Sequence, residues 1–398
     1  MQFHFAQRVQ TLKPSAIREI LKYSSDPAVI PFSAGNPAPE AFPVEAVREI
    51  TARIFAEQPI DALQYSLTEG YPALRDRLSA YMKQKHHIGR EGDTLLITSG
   101  AQQVMDLAVK ALCDEGDVVL CEAPSFIGSL NSFRALKARL VGVPMEEDGM
   151  DMNALEEALK TQKNVRFIYT IPNFQNPSGV TMSLEKRRAM YALAKQYQVL
   201  ILEDNPYGDL RYEGEDVPAI KSLDEEGVVL YAGSFSKVLS PGLRVGYAIG
   251  PAELLQKMIV CKQGEDVHTA ILPQMICEEF MAKYDYEAHL DHLRSLYRVR
   301  INRIMELFDA YLVPAGITYQ RAQGGLFLWC RLPDGIDMPD FCTRAVKERK
   351  VAVVPGSAFL VDENAPCQHF RVNFSTPSME AMERGAIELG AFAKAYRA

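Results

Sequence analysis

The sequence predicts an α/β fold with a mostly parallel central sheet, helices on both faces of that sheet, and a smaller α+β domain. Two observations lead to this prediction. From about residue 94 onward, short β-branched runs alternate with amphipathic helical stretches, which is typical of a parallel sheet covered on both faces. Near residue 285 this alternation stops, and a long helical pattern is followed by shorter strands and helices. A chain of 398 residues has room for two or three domains of ordinary size.

The predicted central sheet contains buried strands that are separated by helices. The strands are Leu95–Thr98, Asp117–Cys121, Arg166–Thr170, Val199–Glu203 and Val228–Ala232. The intervening helices include Gln102–Cys113, Asn153–Thr161 and Ser183–Gln196. In such sheets ligands bind beyond the carboxyl ends of the strands, so we expect the functional residues to lie just after each strand.

The last third of the chain predicts a different arrangement. Apolar residues recur every three or four positions over Tyr286–Leu312, which indicates one long helix. The elements predicted after it are strands Ile317–Gln320, Gly325–Leu332, Val351–Val354 and Phe370–Phe374, helix Met338–Arg349, and a terminal helix. We therefore predict an N-terminal segment, residues 1–45, that packs with the small domain, a large domain, residues 46–290, and a small C-terminal domain, residues 291–398.

Composition narrows the class of protein. The chain is 47% hydrophobic and 24% charged, which is ordinary for a globular protein and excludes a disordered or fibrous one. Its net charge of −8 is modestly acidic and argues against a nucleic-acid or membrane-surface partner. The first residues contain no apolar signal core, and no run of about eighteen apolar residues occurs.

The cysteines and histidines argue against a metal site. The seven cysteines are odd in number, form no C-x-x-C motif and have no histidine cluster beside them. This pattern argues against a disulfide framework or a zinc site and predicts a cytoplasmic protein. His289 and His292 lie three residues apart on the long helix, and we interpret them as solvated surface side chains.

The segment Ser234–Gly246 follows the last predicted strand of the sheet and reads S-F-S-K-V-L-S-P-G-L-R-V-G. Its hydroxyls and the guanidinium of Arg244 can bind a phosphate, and Lys237 can form a Schiff base with an aldehyde. The alternative is a polar turn with a solvated lysine. The order of these residue types favours the functional interpretation.

Two further polar segments follow strands. Asp204 ends an apolar strand, where a carboxylate needs a cationic or hydrogen-bonding partner. A protonated pyridine nitrogen is such a partner, and an aspartate facing it is a known device for pyridoxal phosphate. Asp204 alone is equally consistent with a turn. The segment Asn173–Gly179 contains the turn sequence Asn-Pro-Ser-Gly, and the Asn176 amide is a candidate donor to a ring hydroxyl.

The other candidates each have two interpretations. Ser99 and Gln102 fit a capping box at a helix start, but the N–H groups of Gly100–Gln102 are also suited to bind phosphate. Phe126 follows the strand Asp117–Cys121 and is either a core side chain or an aromatic that stacks on a planar ring.

Together these motifs resemble the fold-type I pyridoxal-phosphate-dependent aminotransferases over nearly the whole chain. The resemblance implies that Lys237 forms the Schiff base and shuttles the proton, and that Asp204 pairs with the pyridinium nitrogen. It also implies ring-oxygen contacts from Asn176 and Tyr207, and stacking by Phe126, where many relatives have Tyr or Trp. The phosphate would be held by Gly100, Ala101, Gln102, Ser234, Ser236 and Arg244.

The resemblance extends to the substrate and to the subunits. Arg371 matches the arginine that binds the substrate α-carboxylate, and Gly35 matches a glycine that lies over the substrate. Tyr65 is similar to the tyrosine that reaches the neighbouring subunit's phosphate, which implies a homodimer with a shared active site.

Two segments resemble the 2-aminoadipate and kynurenine aminotransferase branch, namely Pro14–Lys22 and Lys262–Thr269. In that branch an arginine at the position of Arg18 binds a side-chain carboxylate; on the residues alone, Arg18 is one charge on an amphipathic helix. The expected activity is transfer of an amino group from an L-amino acid to a 2-oxo acid such as 2-oxoglutarate. Candidate donors are 2-aminoadipate, glutamate, aromatic and branched-chain amino acids. The alternatives are a β-lyase, a decarboxylase or a non-catalytic sensor.

Overall fold

The computed structural model describes residues 3–6 and 26–397. Its large sheet has the strand order β1-β8-β7-β6-β5-β2-β3-β4. The strands are β1 Asp93–Thr98, β2 Val118–Ala123, β3 Arg139–Glu146, β4 Gly149–Met150, β5 Val165–Thr170, β6 Leu200–Asp204, β7 Val229–Ser234 and β8 Gly246–Pro251. Strands β2, β3, β5, β6 and β7 pair in parallel, and β8 runs antiparallel to both β1 and β7. The predicted mostly parallel sheet is confirmed.

Helices cover both faces of this sheet. They are α1 Val44–Glu57, α2 Pro59–Leu63, α3 Pro72–His86, α4 Ala101–Leu112, α5 Ile127–Ala135, α6 Met152–Thr161, α7 Leu184–Tyr197, α8 Ala252–Gln263 and α9 Ile271–Lys283. Alternate residues of β2 belong to different cores: Val118 and Leu120 cluster with α6 and α7, whereas Val119 and Cys121 cluster with α4 and α5. This two-residue period is what a strand buried on both sides requires.

A second, antiparallel sheet forms the smaller part of the molecule, with strand order β11-β12-β10-β9. Its elements are α10 Tyr286–Tyr311, β9 Thr318–Tyr319, β10 Phe327–Arg331, α11 Met338–Arg349, β11 Val354–Pro355, β12 His369–Asn373 and α12 Met379–Arg397. Short 3₁₀ turns lie at Pro39–Ala41, Ile220–Leu223, Pro241–Leu243, Val313–Ala315 and Gly356–Phe359.

Residues before α1 pack on this smaller sheet. Ile30 forms an isolated parallel bridge with Val351, and the backbone N–H of Asn373 donates to the carbonyl of Phe32 at 2.7 Å. The boundaries 1–45, 46–290 and 291–398 stay a prediction.

Several strands differ from the sequence expectations. The predicted strand Val351–Val354 is reduced to the bridge at Val351 and the short β11, while β3 and β8 were not predicted. In strand β3 only Val143 is buried, and Gly142 and Pro144, which are poor strand formers, interrupt its apolar residues. Strand β8 contains Gly246, Gly250 and Pro251, which are poor strand formers. Gly246 is needed there because a Cβ would lie 2.5 Å from the backbone nitrogen of Ala101.

Within the described ranges, no helix has both the length and the apolar character to cross a bilayer. The same residues contain no cluster of His, Cys, Asp and Glu side chains arranged to hold a metal ion. The cytoplasmic location stays a prediction.

Candidate active site

A cavity of about 400 Å³ lies at the carboxyl ends of the parallel strands. Segments that follow β1, β2, β5, β6 and β7 meet there, as the topology of a parallel sheet requires. Most of the residues predicted for the site line this cavity: Gly35, Ala101, Gln102, Phe126, Asn176, Asp204, Tyr207, Ser234, Ser236, Lys237, Arg244 and Arg371.

Lys237 lies in the turn after β7, and its ammonium group points into the cavity. Its Nζ donates a hydrogen bond to the carbonyl of Gly35 at 2.8 Å. Burial, together with the positive charges of Arg371 and Arg244, lowers the pKa of Lys237 to about 8. This amine therefore loses its proton more readily than an exposed lysine, and the uncharged form is the one that a nucleophile or a proton acceptor needs.

Asp204 ends β6, and its side chain is nearly fully buried. The hydroxyl of Tyr169 donates to Oδ2 at 2.9 Å, and Ser129 donates to that hydroxyl at 2.8 Å. Oδ1 is buried without a hydrogen-bond partner among the described residues. Burial raises the pKa of Asp204 to about 7, and the Tyr169 hydrogen bond opposes that rise. An unpartnered buried carboxylate oxygen suits a cationic N–H donor, such as a protonated pyridine nitrogen.

Helix α4 begins at the cavity without a side-chain cap. Its N-cap residue is Gly100, which has a φ of +82°. The predicted capping box is therefore wrong: the Ser99 hydroxyl donates to Asp266, and the Gln102 amide donates to the carbonyl of Gly128. Because no side chain occupies the first N–H groups of α4, they remain able to bind an anion at the positive end of the helix dipole.

Arg244 lies beside this helix start. Its Nη2 donates to the Ser99 carbonyl at 3.1 Å. A Cβ on Gly100 would lie 2.2 Å from that Nη2, so the glycine is needed for the close approach. The Ser234 hydroxyl, which accepts from the Ser236 N–H at 3.0 Å, faces the same end of the cavity. These donors together suit a phosphate group.

Arg371, on β12, is buried at the opposite end of the site and has two neutral oxygens as partners. Nη1 donates to Asn176 Oδ1 at 2.8 Å and Nη2 donates to the Ser33 carbonyl at 3.1 Å. The guanidinium lies 4.2 Å from the centre of the Phe327 ring. Burial lowers the pKa of Arg371 to about 10, and the neighbouring Tyr207 opposes that change. Asn176 Oδ1 accepts from Arg371, and its Nδ2 donates to the Tyr207 hydroxyl in a long contact of 3.5 Å.

Among the described residues, two of those predicted for the site, Gly100 and Tyr65, are not part of the cavity lining. Tyr65 is 82% exposed, and its ring contacts that of His268 at 5.9 Å between centroids. Arg18 lies outside the described residues, and its assignment stays a prediction.

Comparison with known proteins identifies the family. The profile of the aminotransferase class I and II family matches residues 27–389. The chain belongs to this family. It is 38% identical to the 2-aminoadipate transaminase of Thermus thermophilus, over 97% of this chain and 95% of that one. It is 36% identical to aromatic-amino-acid aminotransferase 1 of Thermococcus litoralis, over 97% of this chain and 93% of that one.

A solved structure gives the same result. The kynurenine aminotransferase of Pyrococcus horikoshii, a complex with PMP, superposes with a TM-score of 0.94 at 34% identity, covering 98% of this chain and 97% of that one. The protein described here is a fold-type I, pyridoxal-phosphate-dependent aminotransferase of the 2-aminoadipate and kynurenine branch. The unpartnered Asp204 oxygen and the uncapped start of α4 fit that cofactor.

Several residues of the aminotransferase site escaped the sequence analysis. Tyr169 and Ser129, which support Asp204, lie inside a strand and a helix and have the pattern of ordinary core residues. Phe327 and Ser33 contact Arg371 from the smaller sheet and from the N-terminal segment. Only the tertiary structure brings them to the cavity.

One histidine assignment is wrong. His289 of this aminotransferase is half-buried, and its Nε2 lies 2.7 Å from the carbonyl of Val238, the residue after Lys237. Burial lowers the pKa of His289. His289 thus helps to support the turn that carries Lys237, whereas His292 is exposed as predicted.

Proposed function

We propose that this aminotransferase transfers the amino group of an L-amino acid to a 2-oxo acid, with 2-oxoglutarate as the expected acceptor and the substrate α-carboxylate bound to Arg371. The observation that supports this binding mode is the buried and unpaired charge of Arg371. Its guanidinium is nearly fully buried, and no carboxylate of the described residues forms an ion pair with it. A buried cation without an anionic partner is costly, and a bound carboxylate would relieve that cost through a bidentate hydrogen-bonded pair.

The cofactor contacts follow from the donors and acceptors that line the cavity. Pyridoxal phosphate supplies an aldehyde carbon that bonds to the substrate amine and a ring that accepts electrons. In this proposal Asp204 Oδ1 would pair with the protonated ring nitrogen, and Asn176 Nδ2 and the Tyr207 hydroxyl would donate to the ring oxygen. Phe126 would stack on the ring. The phosphate is held by Gly100, Ala101, Gln102, Ser234, Ser236 and Arg244.

Lys237 is the proton carrier in the proposed reaction. With the cofactor bound, its uncharged Nζ would accept the proton from the substrate α-carbon and would hold it for return. The lowered pKa of Lys237, about 8, suits this exchange because a group that both accepts and donates a proton works best near the ambient pH. The Gly35 carbonyl fixes the position of Nζ.

The apolar part of the cavity lining favours substrates with apolar side chains. Phe327 lies against Arg371, Ile171 and Met105 also line the cavity, and the cations of the described lining are Lys237, Arg244 and Arg371. Aromatic and branched-chain donors are therefore expected. A second carboxylate, as in 2-aminoadipate or glutamate, requires another cation, and Arg18 stays the predicted one.

The Arg371→Gln variant tests the proposed substrate binding. Glutamine keeps a donor for Asn176 but loses the charge, so we expect kcat/KM for amino acids to fall about 10²–10³-fold, mainly through KM, because a buried charged pair loses one partner. The measurement is the rate at which single amino acids convert the visible absorption of the bound cofactor. The control is a primary amine that has the same side chain but lacks the carboxylate. An equal loss for the amine and the amino acid would contradict the assignment.

Product analysis tests the reaction class. With an amino acid and 2-oxoglutarate, we expect stoichiometric 2-oxo acid and glutamate. Release of ammonia or carbon dioxide in place of glutamate would instead identify a lyase or a decarboxylase.

We also propose that the enzyme is a homodimer in which Tyr65 contacts the phosphate held by the other subunit. Tyr65 is 82% exposed and follows helix α2, where Ile60 is 70% exposed and Leu63 is 73% exposed. Clustered exposed apolar side chains are typical of a surface that another protein covers. In the proposed dimer this surface packs against a second copy.

Mixing two inactive variants tests the shared site. We expect Tyr65→Ala and Lys237→Ala dimers each to have low activity. After subunit exchange, a hybrid dimer contains one site with both native residues, so activity should recover toward half of the wild-type value per hybrid dimer. Mixing Lys237→Ala with Arg371→Gln is the control for a pair within one subunit, and this hybrid should recover no activity. Failure of the first mixture to recover, in hybrids verified by mass spectrometry, would place Tyr65 outside the partner's site.

A further inference from the structure

We propose that Asp266 is a positioning residue for the cofactor phosphate: with Lys262 as its counter-charge, it holds Ser99 and Gln103 so that the start of α4 and Arg244 converge on one anion. The inference rests on the proposed assignment of the phosphate site. Asp266 lies in the segment Lys262–Thr269, to which neither the proposed cofactor contacts nor the proposed substrate contacts assign a role.

Asp266 connects two parts of the structure through charged hydrogen bonds. Its Oδ2 accepts from Ser99 Oγ at 2.8 Å and from Gln103 Nε2 at 2.9 Å. Its Oδ1 accepts from Lys262 Nζ at 2.7 Å. The Lys262 side chain is fully buried, so this ammonium is committed to Asp266. The carboxylate is therefore saturated and fixed at the end of α8.

The contact with Ser99 fixes the segment that leads into helix α4. Ser99 directly precedes Gly100, the N-cap residue, which has no side chain to occupy the first N–H groups of the helix. The Ser99 hydroxyl donates to Asp266 and lies 3.2 Å from the Thr269 hydroxyl, and Gln103 Oε1 accepts from the Ser99 backbone N–H at 2.8 Å. Ser99 is thus held in place, and with it the start of α4, whose first N–H groups are available to the phosphate.

Ser99 also holds the side chain of Arg244. The Ser99 carbonyl accepts from Arg244 Nη2 at 3.1 Å. Asp266, Ser99 and Arg244 thus form a chain of hydrogen bonds that runs from α8 to the phosphate site. Since Asp266 acts through Ser99, it makes no contact with the anion itself. Lys262 balances its charge, so the carboxylate adds little repulsion toward the phosphate.

The residue after Asp266 has a strained backbone conformation. Val267 has a φ of +62°, a left-handed conformation that a β-branched residue rarely adopts. Such a conformation persists only where the surrounding contacts hold it. The His268 N–H donates to the Asp266 carbonyl across Val267 at 2.6 Å, and the side-chain contacts of Asp266 hold the residue that precedes it.

The test compares two ligands that differ only in the phosphate. Asp266→Ala and wild-type enzyme are prepared without cofactor and titrated with pyridoxal phosphate and with pyridoxal, and the ³¹P signal of the bound cofactor is recorded. We expect Asp266→Ala to raise the Kd of pyridoxal phosphate about tenfold or more, as loss of a supporting contact does at other ligand sites. The Kd of pyridoxal should change less than about twofold, because it makes no phosphate contact. The ³¹P signal should shift.

The matched control is Glu265→Ala. Glu265 Oε2 also accepts from Gln103 Nε2, at 2.9 Å, but Glu265 has no hydrogen bond with Ser99. We expect this variant to bind both ligands as the wild type does. If Asp266→Ala does not fold, Ser99→Ala removes the same hydrogen bond with little loss of packing and should show the same selective weakening.

The outcomes separate the inference from the function that it rests on. Equal weakening of both ligands, or an unchanged Kd for pyridoxal phosphate in a folded variant, would overturn the role of Asp266. If the wild type itself binds pyridoxal as tightly as pyridoxal phosphate, the phosphate site is assigned wrongly.

Discussion

Replacing Lys237 with alanine is expected to lower transamination about 10⁴-fold or more and to leave cofactor binding largely intact. Lys237 is the only lysine of the described cavity lining, and its Nζ donates to the Gly35 carbonyl at 2.8 Å. Its removal takes away both the covalent attachment and the proton carrier, and proton transfer by a positioned group alone contributes about 10²–10⁴-fold. The phosphate and ring contacts do not involve Lys237. Stopped-flow absorbance with a single amino acid measures the loss, and equilibrium dialysis measures the retained cofactor.

Two further measurements sharpen this prediction. Small primary amines added to Lys237→Ala should restore part of the proton transfer, with a rate that rises with amine concentration and basicity. Lys237→Arg keeps a charge but remains protonated, so it should stay inactive without added base. Wild-type-like transamination by Lys237→Ala would contradict the assignment of the lysine.

The Asp204→Asn variant is expected to lose about 10²–10³-fold in turnover. Asn is nearly isosteric with Asp and keeps an oxygen for the Tyr169 hydroxyl, so the site should keep its shape. It loses the buried anion at Oδ1, which has no partner among the described residues and is the proposed counter-charge of the ring nitrogen. A preorganised electrostatic group of this kind is worth about 10²–10³ in rate. Turnover is measured with an aromatic donor and 2-oxoglutarate.

The Tyr169→Phe variant is the graded control for Asp204. It removes the hydrogen bond to Oδ2 but keeps the carboxylate, so we expect a loss of about tenfold, in line with one buried hydrogen bond. The ¹⁵N NMR signal of labelled cofactor reports the protonation of the ring nitrogen directly. It should indicate an unprotonated nitrogen in Asp204→Asn and a smaller change in Tyr169→Phe. A protonated nitrogen in Asp204→Asn would contradict the proposed pairing.

The sequence located this site because the chemistry lies at the ends of strands. Lys237, Asp204 and Asn176 each follow an apolar run, and parallel strands bring such positions to one edge. The residues that support Lys237, Asp204 and Asn176 from behind do not follow an apolar run, so no sequence pattern identifies them. Tyr169 is one aromatic among the apolar residues of β5, and only the sheet register shows that its hydroxyl meets Asp204. The order of the strands was equally inaccessible, because it depends on pairing between distant segments.

Two local interpretations failed for a common reason. Ser99 and Gln102 have the spacing of a capping box, but Asp266, which is distant in sequence, competes successfully for the Ser99 hydroxyl. His289 has the spacing of an exposed helix position, but the turn after β7 covers it. In both cases a tertiary contact outweighs the local pattern, and a window of neighbouring residues does not contain that contact.

The position of β8 in the sequence determines when the phosphate site can form during synthesis of the chain. Gly246 pairs with Thr98 on one side and with Ser234 on the other, so the antiparallel strand β8 joins the β1 end and the β7 end of the phosphate site. During synthesis on the ribosome, a growing chain that stops before Gly246 holds Lys237 but lacks the strand that unites these two ends. Arg371 emerges later still. We therefore expect a chain truncated before Gly246 to bind pyridoxal phosphate weakly, although it contains Lys237 and Asp204.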